Sequence, residues 1–345
     1  MKELTSLVRN NIQQLAPYSS ARDEFEGNGE VFLDANENPY DCGFNRYPDP
    51  YQRQLKSKLA NMKGVAPSQL FLGNGSDEAI DLTLRIFCEP GRDNIIVTDP
   101  TYGMYAVSAA INNIEVIKVP LTERFDLSAS SLLSAVNEYT KVIFICSPNN
   151  PSGNSLNMDE IDKVITSFEG IVVVDEAYID FSTFPSYSQK LDRFPNLIVL
   201  QTFSKAWGIA GLRLGIAYAT EPIISWFNKV KPPYNINTYS QQIALEKLDE
   251  EDKVRGQIAE ILAQRDRLQE ELKKLPIVME VFPSDTNFLL VRFTEAQKIF
   301  RYLVDREIIV RDRSKVKFGA NCLRITVGTP SENSKLLEAL KNFNI

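Results

Sequence analysis

A short stretch in the middle of the chain, QTFSKAWGIAGLRLG (201–215), contains one lysine, Lys205, among small and apolar residues. Hydroxyl side chains flank it at Thr202 and Ser204, and Arg213 follows eight residues later. This setting predicts a buried side chain for Lys205, and a buried lysine loses hydration energy, so it needs a partner or a chemical role. Desolvation also lowers the lysine pKa, which suits an imine-forming nucleophile and a base. An ordinary surface lysine after a strand is the alternative.

Two further polar segments follow apolar runs. VVVDEAY (172–178) ends a buried-looking strand with Asp175, and Tyr178 follows three residues later, so both side chains can face one cleft. CSPNNPSG (146–153) follows the run KVIFI and holds Asn150 in a proline-flanked turn. Each segment also has an ordinary interpretation, as a helix N-cap aspartate and as a polar turn.

A fourth segment, GNGSDEAI (73–80), is glycine-rich and opens a predicted helix. Backbone N–H groups at a helix start bind phosphate, so Gly75, Ser76 and Asp77 form a candidate phosphate cradle. It is not a dinucleotide fingerprint, because the third glycine is missing. A phosphate cradle, a carboxylate, an asparagine, a tyrosine and a lysine together are the groups that pyridoxal 5′-phosphate (PLP) requires.

The chain contains no histidine, which excludes several kinds of catalytic site. Neither a Ser-His-Asp nor a Cys-His nucleophile system can be built. Histidine metal sites are excluded, and four scattered cysteines make a poor zinc site, so we expect no metal. Proton transfer must therefore use Lys, Asp, Glu, Tyr or a cofactor.

The bulk properties narrow the class of protein. The 345 residues carry a net charge of −7, which argues against a nucleic-acid surface. No apolar run approaches the ~18 residues of a membrane span, and the N-terminus has no secretory apolar region. The cysteines form no C-x-x-C pair and are interpreted as reduced thiols. We expect a cytoplasmic protein with neither nucleic acid nor membrane as partner.

The order of elements predicts an α/β fold with a large and a small domain. Nearly continuous apolar runs predict strands at 94–99, 114–120, 141–147, 170–177, 197–203 and 214–220. Helical patterns at 76–89, 102–113 and 157–169 alternate with them, which indicates a mostly parallel, doubly wound sheet. A long helix at 250–275, followed by short strands and helices, indicates an α+β unit. We expect an N-terminal segment (1–30) packing on the small domain or a partner, a large domain (31–235) and a small domain (236–345).

The order of the motifs G-x-G-S-D-E, P-T-Y, S-P-N-N-P-S-G, D-E-A-Y and T-F-S-K-x-x-G-x-x-G-L-R-L-G resembles the fold type I aminotransferases related to aspartate aminotransferase. These are PLP enzymes. Four more segments resemble the histidinol-phosphate branch of that family: FLDANENPY (32–40), NRYPDP (45–50), IIVRD (308–312) and CLRITVGT (322–329).

The resemblance implies cofactor roles for particular residues. Lys205 matches the Schiff-base lysine, Asp175 the partner of the pyridine nitrogen, and Tyr102 the aromatic residue stacked on the ring. Asn150 and Tyr178 match the ligands of the ring oxygen. The residues implied for the cofactor phosphate are Gly75, Ser76, Asp77, Thr202, Ser204, Arg213 and, from the other subunit of a homodimer, Tyr47.

The resemblance also implies a substrate site and a reaction. Arg311 and Arg324 match residues that face the substrate phosphate and would bind the carboxylates of glutamate, and Asn36 and Tyr18 match positions at the substrate end. The implied reaction interconverts L-histidinol phosphate and 2-oxoglutarate with imidazole-acetol phosphate and L-glutamate, in histidine biosynthesis. As the ordinary alternative, Arg311 is one of several surface charges in RDRSK.

Three other functions share parts of this pattern. A threonine-phosphate decarboxylase has the same cofactor residues and also binds a phosphorylated amine, and an aromatic-amino-acid aminotransferase shares the fold. A transcription regulator with a PLP-enzyme fold would carry a DNA-binding domain before this part. We do not expect one, because the chain is acidic and reaches LDANENP by residue 33.

Overall fold

The apolar runs in the middle of the chain form one large sheet. The computed structural model describes residues 4–18 and 31–343. Within these ranges the sheet has seven strands, β1 (Leu70–Asn74), β2 (Asn94–Asp99), β3 (Glu115–Pro120), β4 (Thr140–Cys146), β5 (Ile171–Asp175), β6 (Leu197–Thr202) and β7 (Leu214–Ala219). Their order is β1-β7-β6-β5-β4-β2-β3, and only the pairs that involve β7 are antiparallel. This confirms the predicted mostly parallel α/β sheet.

Helices cover both faces of this sheet, so its central strands are apolar throughout. Every residue of β5, β6 and β7 is buried. Along β5, Val172 and Val174 enter the apolar cluster on one face, while Ile171 and Val173 enter the cluster on the other. The helices before the small domain are α1 (Leu4–Leu7), α2 (Asn10–Gln14), α3 (Arg53–Lys63), α4 (Gly75–Phe87), α5 (Met104–Ile111), α6 (Ala129–Ser134), α7 (Met158–Ser167), α8 (Glu221–Val230) and α9 (Thr238–Leu248). Short 3₁₀ turns lie at Pro67–Gln69, Ile179–Phe181, Tyr187–Lys190 and Ala210–Leu212.

The last third of the chain forms a second sheet with its own core. Its elements are α10 (Glu251–Lys273), β8 (Val278–Val281), β9 (Phe288–Phe293), α11 (Ala296–Val304), β10 (Arg311–Asp312), β11 (Cys322–Thr326) and α12 (Pro330–Lys341). In the described part of the chain this sheet has four antiparallel strands in the order β10-β11-β9-β8. Its apolar cluster includes Leu268, Leu289, Ile299 and Leu323. None of the helices in the described ranges is long and apolar enough to cross a membrane.

Helix α10 contributes residues to the apolar clusters of both sheets. Ala244 and Leu248 of α9, and Val254 near the start of α10, belong to the apolar cluster of the large sheet. Leu268 is the first residue of the cluster around the small sheet. The cluster of the large sheet also includes Phe282, Leu290 and Cys322 from the small-sheet part of the chain, so the expected division between residues 235 and 236 stays a prediction.

The N-terminal helices pack on the large domain. Val8 and Ile12 are buried in the cluster that contains α4 and α8. The backbone N–H of Arg9 donates to the carbonyl of Ile86 over 3.0 Å, and the Arg9 guanidinium pairs with Glu89 at 3.1 Å. These contacts place residues 8–12 against large-domain helices, and the expectation that the segment 1–30 packs on the small domain or a partner stays a prediction. Residues 1–3 and 19–30 lie outside the described residues.

Candidate active site

A cleft of about 400 Å³ opens where strands of the large sheet end and the small sheet approaches them. Most of the residues singled out in the sequence line this cleft. They are Gly75, Ser76, Asp77, Tyr102, Asn150, Asp175, Tyr178, Thr202, Ser204, Lys205, Arg213, Arg311 and Arg324. Cys146, Ala177, Ala210 and Arg313 complete the lining.

The parallel strands explain why distant polar residues meet. Cys146 ends β4, Asp175 ends β5 and Thr202 ends β6, and Cys146 and Asp175 are direct partners in the strand register. Parallel strands place their carboxyl ends at one edge of a sheet, where α/β proteins bind ligands. The side chains after these strands therefore converge on one cleft.

Asp175 is a buried carboxylate with two hydrogen bonds. One oxygen accepts from the hydroxyl of Tyr105 at 2.7 Å, and the other accepts from the backbone N–H of Ala177 at 3.0 Å. Burial raises the Asp175 pKa to about 6, although the hydrogen bond from Tyr105 lowers it. The group is therefore largely ionised at neutral pH and can accept a hydrogen bond from a protonated ring nitrogen.

The start of α4 forms a cradle next to β7. Gly75 has φ +70°, and its N–H donates to the carbonyl of Arg213 at 2.9 Å. A Cβ atom on Gly215 would lie 2.1 Å from the backbone nitrogen of Ser76, so this approach of two backbones requires glycine. The N–H groups of Ser76 and Asp77, which follow in the first helical turn, have no intrahelical partner, as an anion site requires.

Arg213 and Asp77 frame the cradle. Arg213 has φ +54°, a left-handed conformation that is costly for a residue with a side chain. Its guanidinium lies 3.4 Å from the carboxylate of Asp77, which also accepts a hydrogen bond from the hydroxyl of Tyr102 at 3.1 Å. The Asp77 side chain thus orients Arg213 and Tyr102, while its backbone N–H belongs to the cradle.

Lys205 differs from the sequence-based expectation of a buried side chain. It follows β6 as expected, but its side chain is exposed to the open cleft. Its ammonium group has no hydrogen bond or ion pair within residues 4–18 and 31–343, and it lies 5.7 Å from the ring centre of Tyr178. Partial burial by the cleft walls and the charge of Arg324 lower the Lys205 pKa. The lysine lies in the cleft wall because its strand ends there.

Asn150 and Tyr178 lie together beneath the small sheet. The amide nitrogen of Asn150 is 3.4 Å from the hydroxyl of Tyr178, and the amide oxygen accepts from the Arg324 guanidinium at 2.6 Å. Burial raises the pKa of Tyr178, so its hydroxyl stays protonated and can donate. Arg324 therefore fixes the orientation in which Asn150 presents its N–H groups.

Three arginines of the small sheet reach the cleft, and the sequence interpretation named only two of them. Arg311 and Arg324 are direct partners across β10 and β11. Arg313, which was missed, also lines the cleft. The spacing of two in RDR was the available signal, because alternate residues of a strand face the same side.

Tyr105 is the second residue that the sequence interpretation missed. It is fully buried, stacks on Phe144 at 4.8 Å and meets Tyr102 edge-on at 5.5 Å. The available signal was its position three residues after Tyr102 in the segment predicted as a helix at 102–113, where that spacing brings two residues to one face; in the structure α5 begins only at Met104. Its hydroxyl supports the carboxylate of Asp175 from below the cleft.

Three predicted residues lie outside this cleft. Asn36 and Tyr47 line a separate surface cleft of about 440 Å³, and the Tyr47 ring stacks on Tyr234 at 4.5 Å. Tyr18 is 68% exposed. The structure therefore does not bring Asn36 and Tyr18 to the substrate end of their own chain, because the segments that carry them run along the surface. A role of Tyr47 in the site of another subunit stays a prediction.

The donor set of the cleft fits PLP. A cradle of helix N–H groups with Arg213 suits its phosphate, and ionised Asp175 suits its ring nitrogen. The amide of Asn150 and the hydroxyl of Tyr178 suit its ring oxygen, and the unpaired amine of Lys205 suits its aldehyde.

Comparisons with known proteins identify the family of the chain and support PLP as its cofactor. The family model for aminotransferase class I and II matches residues 31–340. A histidinol-phosphate aminotransferase of Parabacteroides distasonis is 56% identical over 345 residues, which is 100% of both chains. One of Bacteroides fragilis is 55% identical over 99% of this chain and 100% of its own.

A solved aminotransferase structure also resembles this chain. The histidinol-phosphate aminotransferase of Sinorhizobium meliloti, in complex with pyridoxal-5′-phosphate, superposes with a TM-score of 0.79 at 25% identity, covering 86% of this chain and 82% of that one. The family match covers nine-tenths of the chain, and full-length relatives share more than half of its residues. The chain therefore belongs to the class I and II aminotransferases, in their histidinol-phosphate branch.

Proposed function

We propose that this protein transfers an amino group between L-histidinol phosphate and 2-oxoglutarate with PLP as cofactor, giving imidazole-acetol phosphate and L-glutamate. The observation that carries the proposal is a second anion site in the cleft. Arg311 and Arg324 face the cleft from the small sheet, whereas the cradle at Gly75 with Arg213 lies on the large sheet. One anion site suits the cofactor phosphate, and the other suits the anionic group of a substrate.

The bound cofactor supplies an electron sink that stabilises negative charge on the substrate carbon. Asp175 would hold the ring nitrogen and keep it protonated. Tyr178 and Asn150 would hold the ring oxygen, with Asn150 oriented by Arg324. Tyr102, anchored through its hydroxyl to Asp77, would stack against the ring.

Lys205 moves the proton of the reaction. Its lowered pKa leaves a larger fraction of neutral amine at physiological pH than an exposed lysine has. The Nζ atom takes the proton from the amino-bearing carbon of the substrate and returns it later. No histidine is required for these transfers, in agreement with a chain that has none.

The substrate arginines supply binding. A phosphate dianion accepts several hydrogen bonds, and guanidinium groups donate them in a planar, bidentate arrangement. The two carboxylates of glutamate can use the same pair in the second half-reaction. Full-length identity above one-half to enzymes named for histidinol phosphate supports this substrate over threonine phosphate.

The assembly and location belong to the same proposal. We infer a homodimer in which Tyr47 reaches the cofactor phosphate of the other subunit. Tyr47 and Phe44 are exposed beside a surface cleft, which supports a partner there. The four cysteines are free, which supports a reducing, cytoplasmic location.

The test is a pair of half-reactions. Purified protein with PLP is mixed with histidinol phosphate alone, and the cofactor spectrum is followed; 2-oxoglutarate is then added and glutamate is measured. The proposal predicts complete conversion of the cofactor and its return. Carbon dioxide release from threonine phosphate, without conversion by histidinol phosphate, would replace this proposal with the decarboxylase.

A second experiment tests the role of Lys205. Borohydride treatment followed by peptide mapping should place the cofactor on the peptide that contains Lys205. Finding it on a different lysine would remove the assignment of that residue.

A further inference from the structure

Arg313 is an arginine of the cleft that the proposed function leaves without a role. Its backbone N–H donates to the carbonyl of Cys322 at 2.9 Å, which extends the pairing of β10 with β11 by one step. Arg311 lies two residues earlier, opposite Arg324. Because alternate residues of a strand share a face and direct partners do too, all three side chains lie on the cleft side of the small sheet.

This arrangement concentrates positive charge in the cleft, and the neighbouring carboxylate of Asp312 offsets only part of it. Across residues 4–18 and 31–343, none of the three guanidinium groups forms an ion pair with a carboxylate. Arg324 donates to the neutral amide of Asn150, and the buried Nε atom of Arg313 has no hydrogen-bond partner in the described part of the chain. Burial, followed by the charges of Arg324 and Arg311, lowers the pKa of Arg313.

Like charges on neighbouring strand positions destabilise a sheet, and an unpaired buried donor adds a desolvation cost. A fold can retain an unpaired guanidinium group without this desolvation cost when a bound anion accepts its hydrogen bonds. The cofactor phosphate does not serve here, because its cradle at Gly75 and Arg213 belongs to the large sheet. The missing anion must therefore be on the substrate.

We propose that Arg313 is a third substrate-binding arginine that distinguishes a phosphate substrate from a dicarboxylate. This inference rests on the proposed function, since it assigns a residue to the substrate end of the same cleft. A phosphate dianion has three free oxygens and can engage three guanidinium groups. Glutamate has two carboxylates, which Arg311 and Arg324 can serve one each, so Arg313 contributes little to glutamate binding.

The experiment uses the enzyme with its cofactor and the variant Arg313→Gln. Inorganic phosphate serves as the probe, measured as a competitive inhibitor of the glutamate half-reaction. The inhibition constant should rise roughly 10- to 150-fold, which is the range that corresponds to one charged hydrogen bond. The KM for glutamate should change by less than about 3-fold, and kcat/KM for histidinol phosphate should fall by the same factor as phosphate binding.

Two further variants serve as controls. Lys315→Gln removes a positive charge two residues away, on an exposed side chain outside the cleft, and should leave both constants unchanged. Arg313→Lys restores the charge but not the planar donor set, and it should recover part of the phosphate affinity. The cofactor spectrum of each variant shows that the site is still assembled.

An unchanged inhibition constant in Arg313→Gln, or equal losses for phosphate and glutamate, would overturn the inference while leaving the proposed function intact. Conversely, if the native protein does not convert histidinol phosphate, the proposed function fails, and the phosphate inhibition constants still decide whether Arg313 binds phosphate. A loss of the same size in Lys315→Gln would show a general charge effect and would also overturn the inference.

Discussion

Replacing Tyr105 with phenylalanine should raise the pKa of Asp175 and make the protein's stability more sensitive to pH. The change removes one hydroxyl, which donates to the Asp175 carboxylate at 2.7 Å, and keeps the ring that stacks on Phe144. A hydrogen bond to a charged group is worth about 1.5–3 kcal/mol. Because one pKa unit corresponds to about 1.4 kcal/mol, the Asp175 pKa should rise from about 6 to roughly 7–8.

The sign of the pH effect follows from linkage. The pKa of Asp175 is raised on folding from 3.8 to about 6, so the folded state binds the proton more tightly and loses stability as pH rises through that interval. In the variant this loss continues to roughly pH 7–8. The free energy of unfolding of the cofactor-free variant should therefore be about 1.5–3 kcal/mol below native at pH 8 and much closer to native at pH 5.

Urea unfolding of the cofactor-free proteins at several pH values measures this difference. Tyr218→Phe is the matched control, because Tyr218 is also fully buried but its hydroxyl has no hydrogen-bond partner among the described residues. That variant should be as stable as native or more stable at every pH. A Tyr105→Phe deficit that is the same at pH 5 and pH 8 would refute the reasoning, since a packing defect does not depend on the charge of Asp175.

Three further outcomes follow from the site. Gly215→Ala should abolish tight PLP binding, because the added Cβ would lie 2.3 Å from the carbonyl carbon of Gly75. Equilibrium dialysis measures this affinity, and an unchanged value would contradict the close approach of the two backbones. Lys205→Ala and Tyr47→Phe should each impair activity alone. Mixed subunits should form heterodimers with one intact site and about half the native activity per dimer. Verified heterodimers that recover no activity would exclude a shared site. Arg311→Ala should raise the KM for histidinol phosphate roughly 10- to 150-fold without loss of cofactor, and an unchanged ratio of kcat/KM for the phosphate over unphosphorylated histidinol would show that Arg311 does not bind the phosphate.

Much of the large sheet could be predicted because its strands carry their own signal. The continuous apolar runs that end at Asp175 and Thr202 are long and rich in β-branched residues. They therefore predict both the strands and the edge of the sheet at which ligand-binding groups lie. Strand β1 (Leu70–Asn74) was missed, because its three apolar residues before Gly73 are too few to show a period. Its place beside β7 is decided by long-range pairing, which local pattern does not contain.

The cofactor side of the site was more predictable than its support. The cofactor candidates lie in short motifs, whereas Tyr105 and Arg313 carry only a weak spacing signal and are recognised by their contacts in the fold. The expected burial of Lys205 was wrong because an apolar neighbourhood in sequence does not distinguish a core from the wall of an open cleft. The prolines at 232 and 233 mark a turn in the sequence, whereas packing on the large sheet continues past them into α10, which a local pattern does not show.

The bond from the Gly75 N–H to the Arg213 carbonyl has a consequence for how the enzyme is made. It joins the start of α4 to a residue far along the chain, next to the antiparallel pairing of β1 with β7. Contacts of such large sequence separation form late, because the chain entropy of a long loop must be lost first. The cradle therefore exists only after β1 has paired with β7. PLP would then bind only folded chains and shift the folding equilibrium toward the folded state by mass action. The supply of PLP in the growth medium should therefore govern the yield of this protein as well as its activity.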